Sequence, residues 1–175
     1  MLQPSWEELS IHLISTPTVF PVGPANVFIH PGPPVTLFDA GTNTDEAFEA
    51  LCDGLAAVGL CVADIDQVLL THHHLDHIGL SRRIKEVSGA RILAHREVPA
   101  RLPSITNIES IQEYLGALLT ELGAPSFLAE AVIKQRLAHR NVLDDFVIDE
   151  LFDDGDEIDS FTVHYRPGHS VTDCV

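Results

Sequence analysis

Short apolar segments alternate along the N-terminal half of the chain with segments whose apolar residues recur at helical spacing. The short segments are rich in Val, Ile, Leu and Phe and are bounded by Pro, Gly or Asp, which is typical of β-strands. Strands are predicted at residues 9–15, 26–30, 35–38, 66–70 and 91–94. Because turn-rich segments separate the first three, these strands should pair antiparallel at one edge of a sheet.

Two amphipathic helices are predicted between the later strands. Thr44 should cap a helix over residues 44–58, which carries apolar residues at the spacing of one buried face. A second helix is predicted over residues 79–87, with Leu80, Ile84 and Val87 on one face. This strand–helix–strand alternation predicts the α/β fold class.

The pattern becomes helical from about residue 105 to residue 141. Two helices on either side of the turn Gly123-Ala124 predict an αα-hairpin, with Pro125 opening the second helix. The apolar positions of the first helix are Ile108, Ile111, Tyr114, Leu115, Leu118, Leu119 and Leu122. Those of the second are Phe127, Leu128, Ala131, Val132 and Leu137. His139 and Arg140 suit the C-terminal end of the second helix, where the helix dipole favours positive charge.

Two other features receive structural interpretations. The acidic segment over residues 151–158 lacks the ligand spacing of a calcium loop. Its Asp154-Gly155 pair instead predicts a hairpin turn, and a strand should follow over residues 161–165. His95 lies at the end of a predicted strand, and we assign it a structural or surface role.

Residues 71–80 place four histidines and one aspartate where a predicted strand ends and a predicted helix begins. In an extended segment, His72 and His74 face the same point and His73 faces away. Asp76 is expected to cap the helix that follows. Histidine nitrogens together with a carboxylate form a ligand set suited to zinc, and also to iron or manganese.

The pattern His72-x-His74-x-Asp76-His77 resembles the signature of the metallo-β-lactamase superfamily. Two further segments resemble its loops in the same order. Residues 38–41 are similar to its aspartate loop, and residues 166–170, Arg-Pro-Gly-His-Ser, are similar to its third-histidine loop. The resemblance implies an αββα sandwich forming one domain over residues 1–175. It also implies that the helical pair, at about residues 105–141, is an insertion of the kind that often covers the metal site; an extra packing layer is the other interpretation, and the two are compatible.

The resemblance also implies a role for each residue of the site. His72, His74 and His169 would hold a first ion, expected to be zinc. Asp76 and His77 would begin a site for a second ion, and Asp76 would orient or deprotonate the nucleophile.

Asp39 is expected to be a carboxylate outside the ligand set that orients a metal-bound histidine. Its other interpretation is a turn residue at the end of a strand.

The function implied is hydrolysis of an ester, thioester or lactone by a metal-bound hydroxide, as in the hydroxyacylglutathione hydrolase branch. One alternative is a mononuclear iron enzyme similar to the persulfide dioxygenases, which share three histidines on this fold. Another is a metal-binding fragment without turnover. A flavo-diiron role is disfavoured because that branch usually has Glu where His74 stands.

The amino-acid composition limits the kinds of partner that the protein is expected to bind. The chain has 26 acidic and 10 basic residues, a net charge of −16, which disfavours a nucleic-acid partner, an RNA-processing nuclease or an anionic membrane. Three cysteines without CxxC spacing and an N-terminus without a signal pattern predict a cytoplasmic protein. A small-molecule substrate is expected.

The family's later ligands lie outside the recognised motifs. The resemblance implies a further aspartate that bridges two ions and a further histidine, and the position of Asp173 does not match the bridging aspartate. We therefore expect the chain to correspond to the N-terminal part of the domain. A sheet with an unpaired edge would favour a homodimer.

Overall fold

A computed structural model describes residues 10–106, 108–138 and 144–175. The predicted start of the first strand, the N-terminal residues without a signal pattern, and His139 with Arg140 lie outside the described residues. All three cysteines are free thiols. Within the described ranges, no helix combines the length and the apolarity that crossing a bilayer requires.

A six-stranded mixed sheet is the centre of the fold. Its order is β1-β2-β3-β4-β5-β6; the first two pairings are antiparallel and the last three are parallel. The antiparallel edge agrees with the sequence prediction. The strands are β1 (His12–Thr16), β2 (Ala25–His30), β3 (Thr36–Phe38), β4 (Gln67–Leu70), β5 (Arg91–His95) and β6 (Glu150–Phe152).

Strand alternation divides the core between the two faces of this sheet. Leu37, Val68 and Ile92 are paired in register across β3, β4 and β5, and all three are fully buried on the helix-covered face. The intervening residues Leu69 and Leu93 belong to a second apolar cluster on the opposite face. This arrangement follows from the two-residue repeat of a strand and predicts near-continuous apolar runs in buried parallel strands.

Helix α1 (Asp45–Ala57) connects β3 to β4 and matches the predicted helix. The hydroxyl of Thr44 accepts a hydrogen bond from the backbone N–H of Ala47 at 3.1 Å, so the predicted cap is confirmed. Leu51 and Leu55 are fully buried. These two side chains belong to the same core cluster as Leu37, Val68 and Ile92, so α1 covers this face of the sheet.

The single helix predicted over residues 79–87 is wrong in its start and in its cap. The chain instead forms a short helix α2 (Leu75–Ile78), with His74 at the N-cap position but no capping hydrogen bond from its side chain, and then α3 (Ser81–Ser88). Asp76 therefore lies inside the first turn and is not the cap. The break arises because the N–H of Leu80 donates to the carbonyl oxygen of Gly41 at 3.2 Å.

The predicted αα-hairpin is present between β5 and β6. It comprises α5 (Ile108–Glu121) and α6 (Ser126–Ala138), and a preceding helix α4 (Val98–Thr106) was not predicted. Gly123 adopts a left-handed φ of 71° at the turn, a conformation that glycine allows without strain. Five of the apolar positions named for these two helices are exposed in the structure: Tyr114, Leu122, Phe127, Leu128 and Ala131.

The hairpin predicted at Asp154-Gly155 is also wrong. Strand β6 precedes this turn and pairs parallel with β5, while β7 (Glu157–Ile158) and β8 (Phe161–Thr162) pair with each other across Asp159. The acidic turn is held by its own carboxylates. Asp156 Oδ2 accepts from the N–H of Asp153 at 2.7 Å, and Asp154 Oδ1 accepts from the N–H of Tyr165 at 2.9 Å.

Candidate metal centre

The histidine motif follows β4 directly, at the carboxyl edge of the parallel strands. Its extended start directs His72 and His74 to one side, and their ring centroids lie 4.6 Å apart. His169 arrives from the loop after β8, and its ring lies 4.7 Å from that of His74. Residues separated by about a hundred positions therefore meet at one point, as the alternation and the third-histidine loop predict.

The first cluster consists of His72, His74 and His169, each of which offers one ring nitrogen within 4.8 Å of the others. His169 Nε2 lies 3.0 Å from His74 Nδ1. His72 is buried, its Nδ1 lies 2.9 Å from the Thr71 hydroxyl, and its Nε2 has no hydrogen-bond partner. A buried polar atom without a partner is costly, so this nitrogen fits the role of a metal ligand.

Electrostatics favour the neutral form of two members of the first cluster, His72 and His74. Burial, followed by the neighbouring His77, His74 and His169, lowers the pKa of His72 from 6.5 to about 3. Burial, reinforced by His169 and opposed by Asp76, also lowers the pKa of His74. A neutral imidazole keeps a free electron pair on one ring nitrogen, which is the form that binds a metal ion.

The second cluster consists of Asp39, His72 and His77. His77 Nδ1 lies 2.7 Å from Asp39 Oδ2, and His77 Nε2 lies 3.8 Å from Asp76 Oδ2. Burial alone lowers the pKa of His77, but the hydrogen bond to Asp39 and the charges of Asp39, Asp76 and Asp173 outweigh it and raise the pKa. Because Nδ1 contacts Asp39, Nε2, beside Asp76, is the atom of His77 that could hold a second ion.

Asp39 is buried, and Thr71 fixes it through two contacts. Its Oδ1 accepts the backbone N–H of Thr71 at 2.8 Å, and its Oδ2 accepts the Thr71 hydroxyl at 2.8 Å. Its φ of 63° lies in the left-handed region, an uncommon conformation that surrounding contacts must maintain. The carboxylate therefore lies where it fixes the orientation of the His77 ring.

Thr71 was missed in the sequence, although it bridges Asp39 and His72 through one hydroxyl. The available signal was a hydroxyl residue at the end of a buried strand, directly before the first histidine. His73 belongs to neither cluster; its ring lies edge-on to that of His74 with centroids 5.2 Å apart, and its Nδ1 lies 2.8 Å from the Thr172 hydroxyl. Asp173, whose position does not match the family's bridging aspartate, accepts the N–H of Ser170 at 2.7 Å.

His95 lies outside the site. It is almost fully buried and stacks on Tyr165 with ring centroids 4.2 Å apart and planes 7° apart. Its Nε2 lies 3.4 Å from Asp153 Oδ1. These contacts agree with the structural interpretation of His95.

A cavity of about 670 Å³ opens over the motif histidines. Its other wall is the β1–β2 loop, which contributes Phe20, Pro21, Val22 and Pro24. Among the side chains that the structure describes, the α5–α6 hairpin contributes none to this lining. The described wall is thus formed by a loop that the sequence prediction treated only as a turn, and cover from the helical insertion stays a prediction.

The family model described as the metallo-β-lactamase superfamily matches residues 21–175. The chain belongs to the metallo-β-lactamase superfamily. The family suggested by the three sequence motifs is therefore confirmed. The match includes every residue of both clusters.

Curated relatives of this superfamily member match over shorter segments. The probable metallo-hydrolase YqjP of Bacillus subtilis is 54% identical over 67 residues, which are 38% of this chain and 21% of the relative. The hydroxyacylglutathione hydrolase of Pseudomonas paraeruginosa is 38% identical over 63 residues, 35% of this chain and 24% of the relative. The matched segments thus span less than a quarter of either relative.

Solved structures confirm the metallo-β-lactamase fold over nearly all of the chain. The metallo-β-lactamase family protein TTHA1429 from Thermus thermophilus superposes with a TM-score of 0.77 and 30% identity, covering 94% of this chain and 54% of that one. The subclass B3 metallo-β-lactamase BJP-1 of Bradyrhizobium japonicum gives 0.62 and 21% identity, covering 94% and 52%. The chain spans about half the length of both structures.

Proposed function

We propose that this chain carries the metal centre of a hydrolase that acts on an ester, thioester or lactone. The observation that carries the proposal is the buried Nε2 of His72, which has no partner and lies in a cluster with His74 and His169. Zinc is the ion expected for three imidazole ligands, since such a set leaves a coordination position for water.

Each residue of the site has a proposed role. His72, His74 and His169 would hold the first ion, and Asp76 with His77 would contribute to a second. A bound zinc ion polarises a carbonyl group and lowers the pKa of water to roughly 7. Asp76, whose side chain is 19% exposed beside His77, would orient the nucleophile and accept its proton.

The substrate is proposed to be a small molecule with an apolar group beside its carbonyl. Phe20, Pro21, Val22 and Pro24 form an apolar wall opposite the histidines, and a cavity of about 670 Å³ suits a small ligand. The net charge of −16 supports neither a nucleic-acid partner nor an anionic membrane surface. We also propose a cytoplasmic location.

The relatives' names support this class without defining it. One is called a probable metallo-hydrolase and another a hydroxyacylglutathione hydrolase. A thioester is therefore the first substrate to test.

The experiment is a hydrolysis assay on a panel of thioesters, lactones and phosphodiesters after loading with zinc, manganese or ferrous iron. The proposal predicts metal-dependent turnover of the first two classes and its loss in His72→Ala. Turnover of phosphodiesters alone, or equal activity after the metal is removed and in the variant, would overturn it.

A three-histidine cluster also suits ferrous iron, so the persulfide dioxygenase alternative has its own arm in this experiment. Oxygen consumption with a glutathione persulfide, dependent on iron and absent with zinc, would favour that alternative. Metal bound without turnover of any substrate would favour the binding fragment.

A further inference from the structure

The middle histidine of the motif contacts the loop that carries His169. Its Nδ1 lies 2.8 Å from the hydroxyl oxygen of Thr172 and 3.1 Å from that of Ser170. The backbone N–H of His73 also donates to the Thr172 hydroxyl at 3.2 Å. One residue of the motif therefore makes three polar contacts with a segment almost a hundred positions later.

The two hydroxyls complete a closed network. Ser170 Oγ lies 3.1 Å from Thr172 Oγ1 and also accepts the backbone N–H of Thr172 at 3.2 Å. Ser170 is 5% exposed and Thr172 is fully buried. Water does not readily replace a lost partner at such positions, so removing one member leaves buried polar atoms unpaired.

His169 depends on this anchorage because its own side chain is exposed. It immediately precedes Ser170 in the loop over residues 166–173, which we call the His169 loop. Other contacts shape this loop from within and from the residue before it: the N–H of Ser170 donates to Asp173, and the Tyr165 hydroxyl donates to the carbonyl oxygen of Val171 at 2.8 Å. The His73 network instead connects the loop to the segment that carries His72 and His74.

We propose that His73 is a positioning residue that holds His169 in the first cluster through the hydroxyls of Ser170 and Thr172. This inference rests on the metal centre of the proposed function. Contacts that orient ligands typically change metal affinity by about 10- to 100-fold when they are removed. Loss of the network should therefore weaken the first ion without removing any ligand.

A second role for His73 gives a different result. Its ring also lines the cavity over the histidines, where a substrate would lie. A substrate contact would raise KM and leave metal affinity unchanged, whereas a positioning role lowers metal affinity in the absence of substrate. Metal affinity measured without substrate therefore separates the two roles.

The test is a cobalt(II) titration of the full chain, followed by absorbance. His73→Ala and Thr172→Val should each weaken binding of the first ion about 10-fold or more. His73→Asn keeps a polar atom near the position of Nδ1 and should recover part of the affinity. The exposed His164 provides the control, and His164→Ala should bind cobalt like the unmodified chain.

Unchanged cobalt affinity in His73→Ala and Thr172→Val would overturn the inference. Weak binding in both without recovery in His73→Asn would also contradict it, because a hydrogen bond is then not the cause. If the chain binds cobalt but hydrolyses no substrate, the proposed function fails and the affinities still decide the role of His73.

A measurement on the metal-free protein tests the role of His73 even if the chain binds no cobalt. Hydrogen exchange of the backbone amides of Ser170 and Thr172 should be faster in His73→Ala than in the unmodified chain. If the unmodified chain binds no cobalt, the proposed centre fails. Equal exchange in both proteins would then overturn the positioning role independently.

Discussion

His77 Nδ1 lies 2.7 Å from Asp39 Oδ2 and joins the aspartate loop after β3 to the histidine motif after β4. The contact is reinforced by the backbone, since the N–H of Ala40 donates to the carbonyl oxygen of His77 at 2.6 Å. In this contact the Nδ1–H of His77 donates a hydrogen bond to the Asp39 carboxylate, so Nε2 is the ring nitrogen left to bind a metal ion. The orientation of one proposed ligand thus depends on a residue outside both proposed ligand sets.

Asp39→Asn should weaken binding of a second ion about 10- to 100-fold. The substitution weakens the contact that fixes the orientation of the His77 ring, and Asn tolerates the left-handed φ of 63° at this position. Chelator competition at two equivalents of zinc measures the effect. Asp53→Asn, on the exposed surface of α1, is the matched control, and equal losses in both variants would contradict the role of Asp39.

Asp76→Ala should reduce kcat about 10²- to 10⁴-fold while the first ion stays bound. Asp76 lies beside the three-histidine cluster without belonging to it, and its Oδ2 is 3.8 Å from His77 Nε2. Turnover at saturating zinc, together with metal analysis, separates the two effects. Near-full activity in the variant would exclude the proposed role of Asp76 in proton transfer.

Gly79→Ala should destabilise the fold and disturb the site. A Cβ atom at this position would lie 2.5 Å from the backbone nitrogen of Asn43 and 2.8 Å from the carbonyl oxygen of Gly41. Both are backbone atoms that cannot move independently, so a cost of about 1–3 kcal/mol in the free energy of unfolding is expected. Urea denaturation measures it.

The control for this substitution is Gly116→Ala in α5, where a Cβ atom would meet nothing within 4 Å. Helix propensity alone favours Ala over Gly by roughly 0.5–1 kcal/mol, so this variant should be as stable as the unmodified chain or more stable. A neutral effect of Gly79→Ala would show that the α2 segment can shift away from Gly41.

Acid should destabilise the metal-free chain through His72. Its pKa is lowered from 6.5 to about 3, so the unfolded state binds the proton more readily between these values. The stability that the neutral ring contributes is present above pH 6.5 and is lost as pH falls toward 3. His73 and His74, whose pKa values are also lowered, act in the same direction; His77, whose pKa is raised, acts in the opposite one.

Urea denaturation of the metal-free chain at several pH values checks this dependence. His72→Leu should flatten the loss of stability below pH 6.5, since 6.5 is the ordinary pKa of the removed group. His164→Ala, which alters an exposed ring, should leave the slope unchanged. An equally steep loss in His72→Leu would show that other groups cause the acid sensitivity.

Self-association and low occupancy of a second site are predicted together. Among the described strands, β1 is at the edge of the main sheet, and its Leu13 is 58% exposed. Open edges favour pairing with another chain, and Asp76 with His77 would form a weak site because zinc sites normally have three or four protein ligands. Light scattering combined with elemental analysis should find a homodimer or larger species with fewer than two tightly bound ions per chain.

Leu13→Lys should reduce this association because a charge on an edge strand opposes pairing. Leu122→Lys, at an exposed position of the hairpin turn, is the matched control. A stable monomer of the unmodified chain with two tightly bound ions would contradict the prediction.

The sequence predicted those features of the fold that depend only on neighbouring residues. The two-residue repeat of a strand is enough to place His72 and His74 on one side, and a hydroxyl before a helix is enough to identify the Thr44 cap. The family motifs added Asp39 and His169. The break between α2 and α3 could not be read locally, because it depends on the hydrogen bond from Leu80 to Gly41.

The remaining site features depend on contacts between distant segments. The Thr172 hydroxyl that meets His73 lies 99 positions away, and no local pattern marks it. The strands on either side of the Asp154-Gly155 turn do not form a hairpin, because β6 pairs parallel with β5 over three residue pairs. Likewise the β1–β2 loop became a cavity wall because of where β2 places it, next to the motif histidines.

X-ray absorption at the zinc edge of the chain, loaded with one equivalent of zinc, tests the central claim most directly. The account predicts three imidazole nitrogens at about 2.0–2.1 Å from the ion. His72→Ala, His74→Ala and His169→Ala should each lose one of them. A sphere of oxygen atoms without imidazole, or an unchanged spectrum in all three variants, would contradict the assignment of these histidines as the metal centre.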